Sequence, residues 1–354
     1  MFRYRQRRLF ISSLKRSMRW EFWPVWLFYI PVAGYILLLT LRYRGLMFTA
    51  VNPGMEGSGV IGEKKSESLS ILQSALPRQV ALMEVVSQQQ PVSQQLAQCL
   101  AFIKAKHLNF PIIVKPDSGQ RGIDVVIAND QSELAAYFNK TRFDTIIQEY
   151  VPGVEFGVFY YRNPPEPQGK IFSLTHKCFP SVVGNGKDTL EALILSHPRL
   201  HYMARFLLKL YSEKLQMVPA IGEEVKVVRL GSHCRGSLFL EGKQYHTSQA
   251  EAAIETISQQ LPGFFFGRYD IRADSIEAFQ RGEFKVIEVN GVTSESTNIY
   301  DPQYSLFDAY RILFKQWRLA FAIGQDNKSR GHATLRISEL LNKARIMNRE
   351  VKKV

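Results

Sequence analysis

Residues 264–297 read FFFGRYDIRADSIEAFQRGEFKVIEVNGVTSEST, and the fold is decided there. Two apolar runs, roughly 264–272 and 284–290, flank a short polar link and predict two antiparallel strands. Side chains alternate faces along a strand. Arg268, Asp270 and Arg272 therefore share one face, and Tyr269 and Ile271 share the other. On the second strand Glu288 and Asn290 share a face, while Ile287 and Val289 point the opposite way. One side of the pair is a core face. The other collects Asp, Glu and Asn oxygens beside an arginine.

Hard cations such as Mg²⁺ take such oxygens and share their coordination with nucleotide phosphates. A solvated face of a two-strand ribbon would explain two isolated carboxylates. It does not explain Gly267-Arg268-x-Asp270 followed, eighteen residues after Asp270, by Glu288-x-Asn290-Gly291. This pattern resembles the ATP-grasp superfamily, in particular the carboxylate–amine ligases similar to D-alanine–D-alanine ligase and the ATP-grasp domain of cyanophycin synthetase. The resemblance implies an α+β fold in which two α+β subdomains grip ATP. It implies that Asp270, Glu288 and Asn290 hold two Mg²⁺ ions, with Mn²⁺ as a substitute. Arg268 would stabilise charge on the transferring phosphoryl group.

Composition fits an ordinary globular chain of 354 residues, 45% hydrophobic and 22% charged, long enough for a sizeable core. Cys99, Cys178 and Cys234 have no metal spacing and suit a reducing compartment. The net charge is +13, yet residues 1–44 hold nine Lys or Arg against one Glu, about +8 of it. That distribution points to an acidic membrane surface as partner and away from nucleic acid.

The charge flanks an uncharged run, FWPVWLFYIPVAGYILLLTL, residues 22–41. About 20 apolar residues can span a bilayer as a transmembrane helix. One crossing with the basic end inside would put the body where there is no ATP. Pro24 and Pro31 can break a helix. The expectation is therefore an N-terminal membrane-associated segment, re-entrant or interfacial, on the cytoplasmic side of the cell membrane. A buried core helix is the alternative.

Other parts of the chain resemble further pieces of the family. Lys64 or Lys65 precedes a helix at SESLSILQSAL, and Lys65 is assigned as the first phosphate lysine. The strand PIIVK ends in Lys115, and DSGQRG (117–122) follows; glycines let backbone N–H groups approach phosphates. Lys115, Ser118, Gly119 and Gly122 would contact phosphates. In TIIQEYVPGVEFGV (145–158) the resemblance puts Gln148, Glu149 and Val151 at the adenine and Glu155 on the ribose hydroxyls. Gln148 departs from the acid usual there. Lys177, on the next strand, would meet the β- and γ-phosphates.

Residues 190–260 read as an insertion, with an amphipathic helix near 198–215 and a strand pair within 225–243. Arg229, His233 and Arg235 there are candidates for an anionic substrate. Thr293–Asn298 would border the acceptor site. The run 87–95 reads as a polar loop. The tail from 325 is polar, then a basic helix with a stripe of Leu335, Leu340, Leu341, Ala344 and Met347.

The expected organisation is a basic and hydrophobic N-terminus (1–47), a truncated preceding region (48–107), the ATP-grasp domain (108–325) and a C-terminal helix (326–354). The implied activity is ATP-dependent joining of an unknown carboxylate to an unknown amine through an acyl phosphate. A kinase on the same scaffold, or a non-catalytic nucleotide-binding membrane protein, is the alternative.

Overall fold

The structure, a computed structural model, describes residues 2–60, 63–119 and 122–352. The N-terminal segment is not one helix but three: α1 (Phe2–Ser17), α2 (Val25–Phe28) and α3 (Ile30–Arg42). Pro24 stands at the N-cap of α2, and Pro31 lies in the first turn of α3, where a missing N–H costs nothing. Among the described residues no helix is long and apolar enough to cross a membrane. A single spanning helix over 22–41 therefore does not form among the described residues. α3 has only 13 residues, and it buries Val32 and Leu39.

A first lobe follows: α4 (Lys65–Ala75), β1 (Met83–Val86), α5 (Val92–Ala105), β2 (Ile112–Pro116), β3 (Val126–Ala128), α6 (Gln131–Phe138) and β4 (Thr145–Glu149). Its antiparallel sheet has the order β1-β4-β2-β3. Cys99 and Phe102 of α5 and Leu134 and Phe138 of α6 pack on Ile112, Val114 and Ile147. The polar run 87–95 is only partly a loop, because α5 starts at Val92.

The second lobe holds β5 (Val154–Tyr161), β6 (Lys170–Cys178), β7 (Val182–Val183), α7 (Leu190–Ser196), α8 (Ala204–Leu210), β8 (Glu224–Val225), β9 (Leu238–Glu241), α9 (Ser248–Gln259), β10 (Phe266–Ala273), α10 (Ile276–Gln280) and β11 (Lys285–Asn290). Five strands form one antiparallel sheet, β11-β10-β5-β6-β9. Phe156, Val158, Tyr160, Tyr269 and Ile271 bury one face against Ile254 and Ile257 of α9 and Phe279 of α10. The opposite face is divided. Phe159 and Phe266 pack with Phe321 of the long helix α11 (Leu306–Ser329), and the remaining part is polar. The tail from 325 therefore begins as the end of α11. It continues into α12 (Ile337–Lys352), where Leu340 joins the core and Leu341 stays exposed. The side chains of Ala344 and Met347 lie outside the described residues.

The insertion differs from its sequence reading. Residues 198–215 hold a 3₁₀ turn and the short α8 instead of one long helix. The strand pair expected within 225–243 does not form: β8 pairs with β7, and β9 pairs with β6. α7, α8, Val227 and Val228 make a cluster of their own, on which Leu9 of α1 and Phe22 pack.

Candidate active site

The β10–β11 register puts Asp270 opposite Glu288 and Arg268 opposite Asn290. A β-bulge between Asp270 and Ile271 then pairs Ile271 with Val286, so Ile287 drops out of the ladder. The strict alternation expected for β11 is corrected by that extra residue. Val286 and Val289 face the core, and Ile287 is only half-buried. The freed Ile287 carbonyl accepts from Lys115 Nζ at 3.0 Å and from Gln148 Nε2 at 3.2 Å. A bulge thereby ties the two lobes together.

Lys177, Glu155 and Arg272 are cross-strand neighbours on the polar face. Lys177 Nζ lies 3.0 Å from both Glu155 Oε1 and Asp270 Oδ1. Arg272 Nε donates to Glu155 Oε2 at 2.9 Å and its Nη1 to the Val151 carbonyl at 2.9 Å. Arg268 Nε donates to Asp270 Oδ1 at 3.0 Å and its Nη1 to the Glu295 carbonyl at 3.2 Å. Lys65 reaches over from the first lobe, with Nζ 2.6 Å from Glu288 Oε1. Lys64 is exposed at the N-cap of α4.

Burial works to raise the Asp270 carboxyl, but Arg268 and Lys177 outweigh it and hold it well below the usual carboxylate range. Burial alone would lower the Lys177 ammonium; Asp270 and Glu155 raise it instead. Lys115 faces neutral acceptors, and burial brings it down to about 8. The cluster sets five cations (Lys65, Lys115, Lys177, Arg268 and Arg272) against three carboxylates (Glu155, Asp270 and Glu288). Such an excess in a buried place favours an anionic ligand.

Other candidates are placed differently. Ser118 is exposed and Gly119 half-buried; Gly119 and Gly122 line a cleft of about 40 Å³ with Lys65, Lys115 and Glu288. Gln120 and Arg121 lie outside the described residues. Gln148 is buried on Lys115, and Glu149 pairs with Lys285 at 2.5 Å. His233 is not at the phosphate cleft. It is buried with Nε2 3.0 Å from Glu21, which Arg199 also pairs at 2.8 Å. It stacks on Tyr300 and lies 3.0 Å from Arg199 Nη2, the structural setting that a lone histidine more often has. Arg229 is exposed, and Arg235 donates to the Val125 carbonyl at 3.4 Å.

Two residues escaped the sequence reading. Asp117 accepts from the Ser66 amide at 2.9 Å and its hydroxyl at 2.7 Å, capping α4 from across the lobe. Glu63 sits beside Gly291, whose amide donates to its Oε2 at 3.2 Å; burial pushes its carboxyl up to about 7. A carboxylate one residue before the lysine pair was the available signal for Glu63. Nothing local marked Asp117 as a cap.

Asp270, Glu288 and Asn290 fit a hard divalent cation. They are oxygen donors on one sheet face. Among the described residues no three His, Cys, Asp or Glu side chains converge as a metal site, so the set is two carboxylates and an amide.

Residues 63–155 match the RimK-like ATP-grasp domain family. The chain carries a RimK-like ATP-grasp segment. That segment holds α4, the whole first sheet and the start of β5, and it ends at Glu155, before β10 and β11. No curated protein matches the chain. Several solved structures are similar to this chain at low identity. D-alanine–D-alanine ligase from Bacillus anthracis is 15% identical, with a TM-score of 0.44 over 76% of this chain and 68% of that one. VanG D-Ala:D-Ser ligase from Enterococcus faecalis is 14% identical, with a TM-score of 0.41 over 74% and 64%. A bifunctional glutathione synthetase from Pasteurella multocida is 14% identical, with a TM-score of 0.36 over 71% of this chain. The match spans 36% of that synthetase.

Proposed function

We propose that this chain is an ATP-dependent ligase that joins a carboxylate to an amine. The observation that carries the reading is the buried cluster of five cations and three carboxylates across an ATP-grasp cleft. A triphosphate neutralises its excess of positive charge. Lys65 and Lys115 come from the first lobe and Lys177 and Arg268 from the second, so phosphates bound between them would be held on two sides. Glu155 already accepts from Lys177 and Arg272, and its remaining lone pairs suit ribose hydroxyls. Asp270, Glu288 and Asn290 would hold Mg²⁺, which supplies charge neutralisation on the phosphates.

In the proposed reaction a substrate carboxylate oxygen attacks the γ-phosphorus. The bond to the β-phosphate oxygen breaks, and ADP leaves. The amine then attacks the acyl carbon; the C–N bond forms, the bond to the phosphate oxygen breaks, and the amine's proton goes to solvent or phosphate. Arg268, fixed by Asp270 and the Glu295 carbonyl, is placed to stabilise charge on the phosphoryl group.

The test is phosphate release from ATP with Mg²⁺ across pooled amino acids, peptides and polar lipids, with hydroxylamine to trap an acyl phosphate. Acceptor-dependent release with a hydroxamate supports the ligase. Phosphate retained on the acceptor without a hydroxamate replaces it with a kinase. Asp270→Ala is expected to lose at least about a hundredfold in turnover; turnover like the parent chain discards the cation assignment.

A further inference from the structure

Among the described residues, ten of the 21 exposed large apolar side chains fall between Phe10 and Leu41, a stretch of 32 residues in a chain of 354. Phe10 and Leu14 of α1, with Met18 just past it, follow one helical face. Trp26 in α2 is 70% exposed. α3 carries no charge before Arg42. Val32 and Leu39 pack inward, while Ile30, Leu37, Leu38 and Leu41 face out, and Gly34 between them has open space beside it. Scattered exposed apolar residues need no explanation, but a concentration of this kind does.

Basic side chains surround this ridge. Arg7 and Lys15 are exposed on α1, and Arg42 and Arg44 follow the last exposed leucine of α3. α3 runs alongside α11 in the same direction: Phe28 stacks on Tyr310, Tyr35 meets Phe314, and Tyr43 meets Phe321. The apolar side chains project outward. None lines the cavity of about 320 Å³ against α11 or the phosphate cleft.

We infer that this ridge docks the protein peripherally on an anionic lipid bilayer, with α3 lying in the headgroup plane. Exposed leucines and a tryptophan can enter the acyl boundary while arginines and lysines pair with acidic headgroups. A second copy of the chain is the poorer occupant, because self-pairing would set one +8 segment against another. A bilayer also accommodates a ridge built from three separate helices, which a rigid partner would have to match in shape. The ridge is wired to the site. Tyr29 hydrogen-bonds the Glu295 carboxylate, Tyr300 donates to the same group at 3.0 Å, and the Glu295 carbonyl holds Arg268. Docking would therefore be linked to Glu295 and Arg268 through Tyr29. The inference does not depend on which reaction the site performs.

The experiment is co-sedimentation of the full chain with phosphatidylcholine vesicles, with and without phosphatidylglycerol, at low and high salt. Expected are binding that requires phosphatidylglycerol and weakens with salt, and quenching of tryptophan emission by brominated lipid. Leu37→Glu/Leu38→Glu should reduce partitioning about tenfold or more. Trp26→Ser, at an exposed position, should reduce it with an unchanged thermal melt, which separates loss of docking from loss of fold. Absence of binding to anionic vesicles overturns the inference. So does binding insensitive to both variants, or a lipid-free dimer that buries the ridge by sedimentation velocity.

Discussion

Lys115 is a buried ammonium whose acceptors, Gln148 Oε1 and the Ile287 carbonyl, are both uncharged. Lys65 and Lys177 touch carboxylates, which keep their ammonium groups above the ordinary lysine value. Lys115 is brought down to about 8. Its folded value lies below the unfolded 10.5, so between these limits the unfolded chain binds the extra proton. Its own contribution to stability is therefore least below pH 8 and improves as pH rises toward 10.5. Nucleotide binding should run the other way, since a neutral Lys115 offers no charge to a phosphate. ATP affinity by calorimetry is expected to be level near pH 7 and to fall by about tenfold per unit well above pH 8. Lys115→Met should bind weakly and lack that fall. An unchanged slope in the variant would move the titration to another group.

α4 carries Lys65 into the cleft, yet its own N-cap, Lys64, makes no capping hydrogen bond. Asp117, just past the end of β2, supplies the cap through Ser66, and its carbonyl accepts from the Lys65 amide at 3.1 Å. One element thus fixes the phosphate lysine of another. Asp117→Ala is expected to cost about 1–3 kcal/mol in denaturant unfolding, because a cap is lost and a buried hydroxyl and amide are left unpaired. The Michaelis constant for ATP should rise while turnover at saturation changes little. A fall in turnover alone would place Asp117 nearer the chemistry. Glycine matters similarly at Gly231, where a Cβ would stand 1.8 Å from Glu155 Oε1 and displace a carboxylate clamped by Lys177 and Arg272.

At the scale of the whole molecule the N-terminal segment is a structural part of the second lobe. Glu21 reaches Arg199 and His233 in the insertion, Phe22 stacks on His233, and Trp20 stacks on Tyr300 beside the site. Burial works to raise the Glu21 carboxyl, but His233 and Arg199 hold it at about 2. Its contribution to stability is present above the ordinary 4.5 and is lost as pH falls toward 2. Glu21→Ala leaves the Arg199 charge buried without its partner and should cost about 3 kcal/mol or more at neutral pH. A change under about 1 kcal/mol, the worth of an exposed pair, would mean the segment rests loosely on the body.

The Gly-Arg-x-Asp and Glu-x-Asn-Gly strands were legible because a period of two sorts Arg268, Asp270, Glu288 and Asn290 to one face from local order alone. The α+β class and the ATP-grasp expectation came from the family resemblance that those motifs carry, and the family match falls on residues 63–155. The bulge at Ile287, the Asp117 cap and the burial of His233 on Glu21 were not legible. Each joins residues that are far apart in the chain, 51 positions for Ser66 and Asp117 and 212 for Glu21 and His233. The apolar run 22–41 shows the same limit. Its composition specified a segment that avoids water, while Pro24, Pro31 and packing against α11 decided that it folds as short helices on the body. Hydrophobicity is a property of residues, whereas the surface that covers them is fixed only when the rest of the chain has folded.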